Sequence, residues 1–351
     1  MNFSRTLRGI VVFGVVCVPL SLVGGLPPMA PSIADLQKQS DVIAEATLAG
    51  TDDSQGVEIA QLNLTRIIQG QPGSLSMRAL VPSSSGTGML GGDTPPKTGL
   101  IPRSLVGRSG IWFLRAADSG WRVIPLDDRR GEEIDTSIPV DRGVEPPAGD
   151  VEQQLLIYLV RWYRSLPAPG RVDEDFRLFV SLERADPQKA AIAIAPLLTS
   201  TRADQYGAGL AAAIRLGSVE ALSRVAPGIG TLRSNPKLRE ITDAIGLYFQ
   251  PPGPDVVRLL GEIAALQSDV PRMDAAVGSA LQRVGTKDVL PVMAILLDSH
   301  DPEAQLRAAW FFAWFAKSPD QMPSQNSTRT PAEYARFWKT WWASNKGGLG
   351  F

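Results

Sequence analysis

Ser299, His300 and Asp301 are the first place to look for chemistry, because serine, imidazole and carboxylate are the parts of a hydrolytic triad and His300 is the only histidine in the chain. Adjacent residues cannot aim their side chains at one point as nucleophile, base and orienting acid; a triad draws them from separate segments. The stretch reads instead as a turn between helices, with Asp301 before Pro302 capping the next one. One histidine and one cysteine, Cys17, also leave no ligand set for a zinc site. No metal, no cofactor and no catalytic constellation are expected.

Paired carboxylates are the other route to hydrolysis, and a glycosidase needs two of them about 5 to 10 Å apart in a cleft. Asp173, Glu174, Asp175 and Glu183 are the candidates, and the sequence puts them on helical or linker surfaces. The acids Asp127, Asp128, Glu132, Glu133 and Asp135 do not follow calcium-loop spacing and read as a solvated run. The glycine-rich stretch 83–99, SSSGTGMLGGDTPPKTG, has no following helix to face a phosphate, so it reads as a loop.

The loudest feature is EYARFWKTWW, residues 333–342. Tyr334, Phe337, Trp338, Trp341 and Trp342 fall on one helical stripe, with Arg336, Lys339 and Thr340 opposite. Trp338, Trp341, Trp342 and Arg336 are the candidate binding residues if this stripe is a ligand platform or a membrane foot. A second stripe, Trp310, Phe311, Trp314 and Phe315 with Leu306 and Ala309, precedes it. Two successive stripes suit a terminal helix pair that covers the end of a core, and this lid is the favoured reading.

These residues must be held by elements, and the chain supplies two kinds. The 351 residues, 44% apolar with a formal charge of −1, suffice for two or three packed domains, and nothing in the balance points to nucleic acid. The N-terminus carries Arg5 and Arg8, an apolar run from Ile10 to Val23, then Gly24 and Gly25, the layout of a secretory signal; the alternative is an uncleaved membrane anchor. Cys17 follows Val15 and Val16 rather than small residues, which argues against lipidation. The mature chain then has no thiol and holds together by packing.

From about Ser32 to Leu126 the period is two, with Val42, Ala44, Ala46 and Leu48 on one face and Leu75, Met77, Ala79 and Val81 repeating it. Ile111–Arg115 and Trp121–Leu126 read as a hairpin turned at Gly120. After Asp150 the period becomes 3.6, with Leu155, Leu156, Leu159, Trp162 and Tyr163 on one face. Asp186, Asn235, Asp301 and Thr330 each precede a proline and mark helix starts, and Thr330 with Glu333 makes a capping box. The expected fold class is α+β: a small antiparallel barrel or sandwich, then helical repeats. The expected boundaries are a signal peptide at 1–25, the β domain at 32–126, a linker or surface loop at 127–150, repeats at 151–316, a loop at 317–329, an aromatic capping helix at 330–345 and a flexible tail at 346–351.

Residues 212–227 align with 280–294, pairing Arg215 with Arg283, Gly217 with Gly285 and Leu222 with Leu290 at an offset of 68 residues. The segment 281–313, a helix ending in glycine, a second helix reaching Leu296-Leu297-Asp298, and Asp301-Pro302 opening a third, resembles HEAT-type repeats. The β region is similar to a segment of exported bacterial proteins, where a strand such as Ser40–Ala44 precedes one ending Arg66–Gly70. The HEAT resemblance implies an α-solenoid that binds partners through a groove or ridge, and it implies no enzyme activity. The expectation is therefore a non-catalytic scaffold, periplasmic or extracellular, with a protein or peptide partner in the cell envelope and membrane contact only through the signal segment. The alternative is a carbohydrate-binding protein of the envelope, or a hydrolase using the tryptophans and carboxylates.

Overall fold

A computed structural model describes residues 31–54, 57–81, 101, 103–118, 120–126, 136–141, 143–167, 172–248, 253–266, 269–270, 272–324 and 327–351. The signal segment with Cys17, the glycine-rich stretch and the acidic run 127–135 lie outside the described residues.

The first described element is helical rather than extended. In α1 (Ile33–Gln39), Ser32 Oγ accepts from the Asp35 N–H and Asp35 Oδ2 from the Ser32 N–H, both at 3.1 Å. That capping box starts the helix at the residue where the β period was expected to begin. Ile33 and Leu36, one turn apart, are its buried face.

Six strands follow: β1 (Val42–Ser54), β2 (Val57–Gln69), β3 (Ser76–Leu80), β4 (Ser109–Ala117), β5 (Gly120–Val123) and β6 (Ser137–Val140). They pair in the order β1-β2-β3-β5-β4, and β4 returns to β1, which closes a five-stranded barrel; β6 lies along β4 outside the ring. The ring pairs are antiparallel except β3 with β5, which are parallel. This corrects the all-antiparallel expectation, and the reason is geometric: strand directions cannot alternate around an odd number of strands. Register shifts at Ile43/Ala44, Glu45/Ala46 and Leu48/Gly50 coil β1 enough to serve both neighbours. Gly70 ends β2 at φ +82°, where an added Cβ would collide with the Asp41 carbonyl oxygen. The hairpin expected at Gly120 is present, with Ala117 opposite Gly120 and its φ at +122°.

The barrel interior is built around Trp112. Ala44 lies directly across from it on β1, and Ala46, Ala60 and Ala79 belong to the same buried cluster, so small side chains make room for one indole. The outer face of β1 and β4 is buried as well: Ile43, Ile111 and Phe113 join α1 and α2 in the main core. That is why Ile111–Leu114 is an unbroken apolar run rather than an alternating one.

The helices are α2 (Val151–Ser165), α3 (Val172–Glu183), α4 (Pro187–Leu198), α5 (Ala203–Arg215), α6 (Val219–Ser223), α7 (Val225–Leu232), α8 (Leu238–Asp243), a π-helix at Ala244–Tyr248, α9 (Pro254–Ala265), α10 (Met273–Val284), α11 (Leu290–Leu296), α12 (Pro302–Phe315) and α13 (Pro331–Asn345). Asp150, Asp186, Asp301 and Thr330 cap α2, α4, α12 and α13 with their side chains, as their positions before the apolar periods dictate. Gly217 and Gly285 end α5 and α10 at φ +81° and +67°, and Leu222 and Leu290 behind them are fully buried. Helix lengths run from 5 residues in α6 to 15 in α2 and α13, so this geometry by itself does not establish a regular two-helix repeat.

The stretch expected as a linker is tied to both parts. Its residues 137–140 form β6, antiparallel to β4, and Asp150 caps α2. Across the same junction, Arg66 of β2 donates to the Tyr158 hydroxyl at 2.8 Å and to Gln154 Oε1 at 3.1 Å, while the Tyr158 hydroxyl donates to Glu45 Oε2 at 3.3 Å. The C-terminal tail, expected to be flexible, forms a 3₁₀ turn at Lys346–Leu349 that brings the Phe351 ring 5.5 Å from Trp342.

Candidate functional site

The aromatic stripe of α13 is brought onto one ring of α12. Phe312 is buried, with Trp338 stacked on it at 5.9 Å and 17°, Trp341 at 6.0 Å and 68°, and Trp342 at 5.8 Å and 60°. Trp338 has no exposed surface, Trp341 and Trp342 are half-buried, and Arg336 is exposed. Lys339 on the polar side pairs with Asp298 at 2.5 Å, tying α13 to the turn before α12. A ring already stacked on Phe312 cannot also offer that face to a ligand, so Trp338 serves packing here.

The preceding stripe differs from expectation in phase. Phe311 and Phe312 are the buried rings of α12, whereas Trp310 is 40% and Trp314 50% exposed. Aromatics at 310, 311, 312, 314 and 315 cover most of the helix circumference, so their spacing alone does not fix which side faces in. The better signal was the set of small residues: Ala304, Ala308, Ala309 and Ala313 are buried where α10 and α13 approach closely. With Phe337, 41% exposed, Trp310 and Trp314 are aromatics facing solvent that sequence reasoning had assigned to a core or stripe.

The carboxylate candidates do not assemble as a catalytic pair. Asp175 is only 5% exposed, which corrects its expected surface position. It accepts from the Tyr163 hydroxyl at 2.5 Å and is ion-paired with the buried Lys237. On α3 it sits at i−3 and i−4 from Leu178 and Phe179, on the apolar face, and Lys237 from a distant segment neutralises it. Burial, then the neighbouring Asp175 charge, push the Tyr163 hydroxyl far above the usual tyrosine range. Glu183 is paired with Arg215 at 2.6 Å, and that guanidinium covers the Phe179 ring at 4.4 Å. Glu174 is half-buried, and the Asp173 side chain lies outside the described residues.

Ser299 is likewise committed. Its hydroxyl donates to Asp274 Oδ2 at 2.5 Å and accepts from the Asp301 N–H at 3.0 Å, while Asp301 caps α12 through the Glu303 N–H at 2.8 Å. His300 is exposed beside this knot. Burial pushes the Asp274 carboxyl above its ordinary value. Among the described residues no three His, Cys, Asp or Glu side chains are grouped to hold a metal ion.

A cleft that the sequence gave no sign of lies between β6, with the segment after it, and the helices α2 and α5, with a volume of about 490 Å³. Pro139, Val140, Asp141 and Val144 of β6 and its continuation form one wall. Tyr158, Arg161, Trp162 and Arg164 of α2 form the floor, and Ser200, Thr201, Arg202 and Gln205 around the α4–α5 turn form the other wall. The size is that of a small-molecule site. It went unseen because its first wall is a strand that reads, in sequence, as charged linker.

Together these features define a protein of two parts, a closed five-stranded barrel and a helical region joined through one core, with a cleft at their junction. No protein-family model, no curated protein and no solved structure matches the chain.

Proposed function

We propose that the protein is a non-catalytic scaffold of the cell envelope that binds a protein or peptide partner through a HEAT-like helical solenoid. The observation that supports this reading is the order of packing. α2 packs on α4, α4 on α5, α5 on α8 and the π-helix, the π-helix on α10, α10 on α12 and α12 on α13, so each element meets its near neighbours in the chain. The left-handed glycines at 217 and 285 recur at the same point of the 68-residue offset. Export rests on the basic residues, apolar run and small residues of the N-terminal segment. Among the described residues no helix is long and apolar enough to cross a membrane.

The partner surface we assign to the solvent-facing edge of Trp310, Trp314 and Phe337. The test is site-specific photo-crosslinking in intact cells. One discrete crosslinked protein is expected with the probe at 310 or 314, and none with the probe at Ile192, an exposed position on α4. Equal crosslinking at all three positions, or none, overturns the reading. Mass spectrometry of the envelope fraction should find a mature N-terminus near residue 26; an intact Met1 in the cytoplasm overturns export.

A further inference from the structure

We propose that the cleft between β6 and α2 binds a small organic anion: a carboxylate or phosphate head held by Arg164 and Arg161, with an apolar body against Pro139, Val140 and Val144. This stands apart from the scaffold reading, because it rests on a different part of the molecule.

The first argument is charge. Among the described residues, Arg161, Arg164 and Arg202 line the cleft against a single carboxylate, Asp141. Arg202 is already engaged, its Nε and Nη2 on Asp204 at 3.2 and 2.7 Å. Arg161 donates to the Glu145 carbonyl at 2.8 Å, a neutral partner that leaves its charge uncompensated. Arg164 is exposed, and its guanidinium has no partner among the described residues. Two cations facing one acid in a concave site concentrate anions, and the guanidinium fork matches carboxylate and phosphate geometry.

The second argument is the fate of the α2 C-terminus, which opens at this cleft. Its last carbonyls are the negative end of the helix dipole and would repel an anion if left bare. Here they are covered: Gln205 Nε2 donates to the Arg164 carbonyl at 2.7 Å, and Arg202 Nη1 to the Leu166 carbonyl at 2.9 Å. Ser200 in turn fixes Gln205 through its Oε1 at 2.7 Å. The residues that neutralise the helix end therefore free Arg164 for something else.

The third argument is shape. The β6 wall is apolar apart from Asp141, and Trp162 on the floor is held by Arg177, whose guanidinium lies 5.4 Å from the ring centre. A volume of about 490 Å³ falls in the range of small-molecule pockets, so a medium-length acyl chain is a suitable probe.

Isothermal titration of the full chain with decanoate, below its micelle concentration, tests this against decanol and decyltrimethylammonium. Saturable one-to-one binding of decanoate is expected, at least tenfold tighter than either other compound and weakening with added salt. Arg164→Glu and Val144→Asp should each weaken it at least tenfold with the melting temperature unchanged, since both positions are exposed. Trp314→Ala should leave it alone. The proposal is overturned by an absence of saturable binding, by equal affinity for decanol, by indifference to Arg164→Glu, or by loss in Trp314→Ala. The crosslinking at 310 and 314 reads the scaffold proposal independently of any of these results.

Discussion

At one end of the helical region, α1 and α2 lie against the outer face of a barrel through Ile43, Ile111 and Phe113, and a polar latch of Arg66, Glu45 and Tyr158 crosses the same seam. At the other end, α13 lies against α12 mainly through aromatic rings, with Trp338, Trp341 and Trp342 gathered on Phe312. Both ends meet the same need, since a stack of helices exposes an apolar face wherever it stops. At the barrel end, β6 and the segment after it face α2 and the α4–α5 turn across a cleft that polar side chains line. The aromatic end joins two helices that approach closely over alanines. The cleft proposed as an anion site lies at the β6–α2 seam.

Mutations can break this contrast, and the largest effect belongs to the aromatic end. Trp338→Ala should cost ~3–5 kcal/mol in chemical denaturation, the range for emptying a fully buried large side chain. Trp338→Phe should cost clearly less, because the indole N–H has no acceptor among the described residues and its loss leaves nothing unpaired. A comparable loss of ~3–5 kcal/mol is expected for Lys237→Met, which strands the buried Asp175 carboxylate between Tyr163 and an apolar chain.

At the barrel end, Tyr158→Phe removes one hydroxyl from the latch and should cost about 1 kcal/mol by the same measurement. A loss as large as that of Trp338→Ala would mean that the latch, and not the apolar plate, holds the two parts together.

Asp274 gives a smaller effect of opposite sign. Burial holds its carboxyl above the ordinary 3.8, so the folded chain binds this proton more tightly than the unfolded one. The stability from this group is present below pH 3.8 and lost as pH rises through the higher folded value, so the native chain carries the cost at neutral pH. Asp274→Asn, still able to pair with Ser299, should be the more stable form at pH 7, and its advantage should vanish toward pH 3.5. An advantage independent of pH would refute this account. Smallest of all, Trp314→Ala should cost less than about 1 kcal/mol, since it is half exposed and meets the core at the Phe311 ring, 5.5 Å away.

The lid was legible because Tyr334, Trp338, Trp341 and Trp342 keep one helical phase and Thr330 with Glu333 fixes where that phase starts. α12 was only half legible: aromatics on nearly every side of a helix carry no phase, and its burial was decided by which neighbours arrived. Alternation announced strands at 41–48 and 75–81 and a barrel or sandwich, but it could not choose the ring or its parallel β3–β5 closure, because pairing partners are non-local. β6 was missed because four residues paired to one neighbour have no period to display. Asp175 was placed on the surface because its compensating charge, Lys237, is 62 residues away.

By itself, then, the sequence determined what is local: the helix caps at Asp150, Asp186, Asp301 and Thr330, the hairpin at Gly120, the glycine stops at 217 and 285, and the aromatic face of α13. Each depends on dihedral preference or on a hydrogen bond within a few residues, and such preferences act before any tertiary contact forms. Only the tertiary structure decided the closure of the barrel, the burial of Asp175 with Lys237, the exposure of Trp310 and Trp314, and the junction cleft. Those depend on which surfaces meet across long stretches of chain, and the free energy that selects among such meetings is spread over the whole core rather than written at any one position.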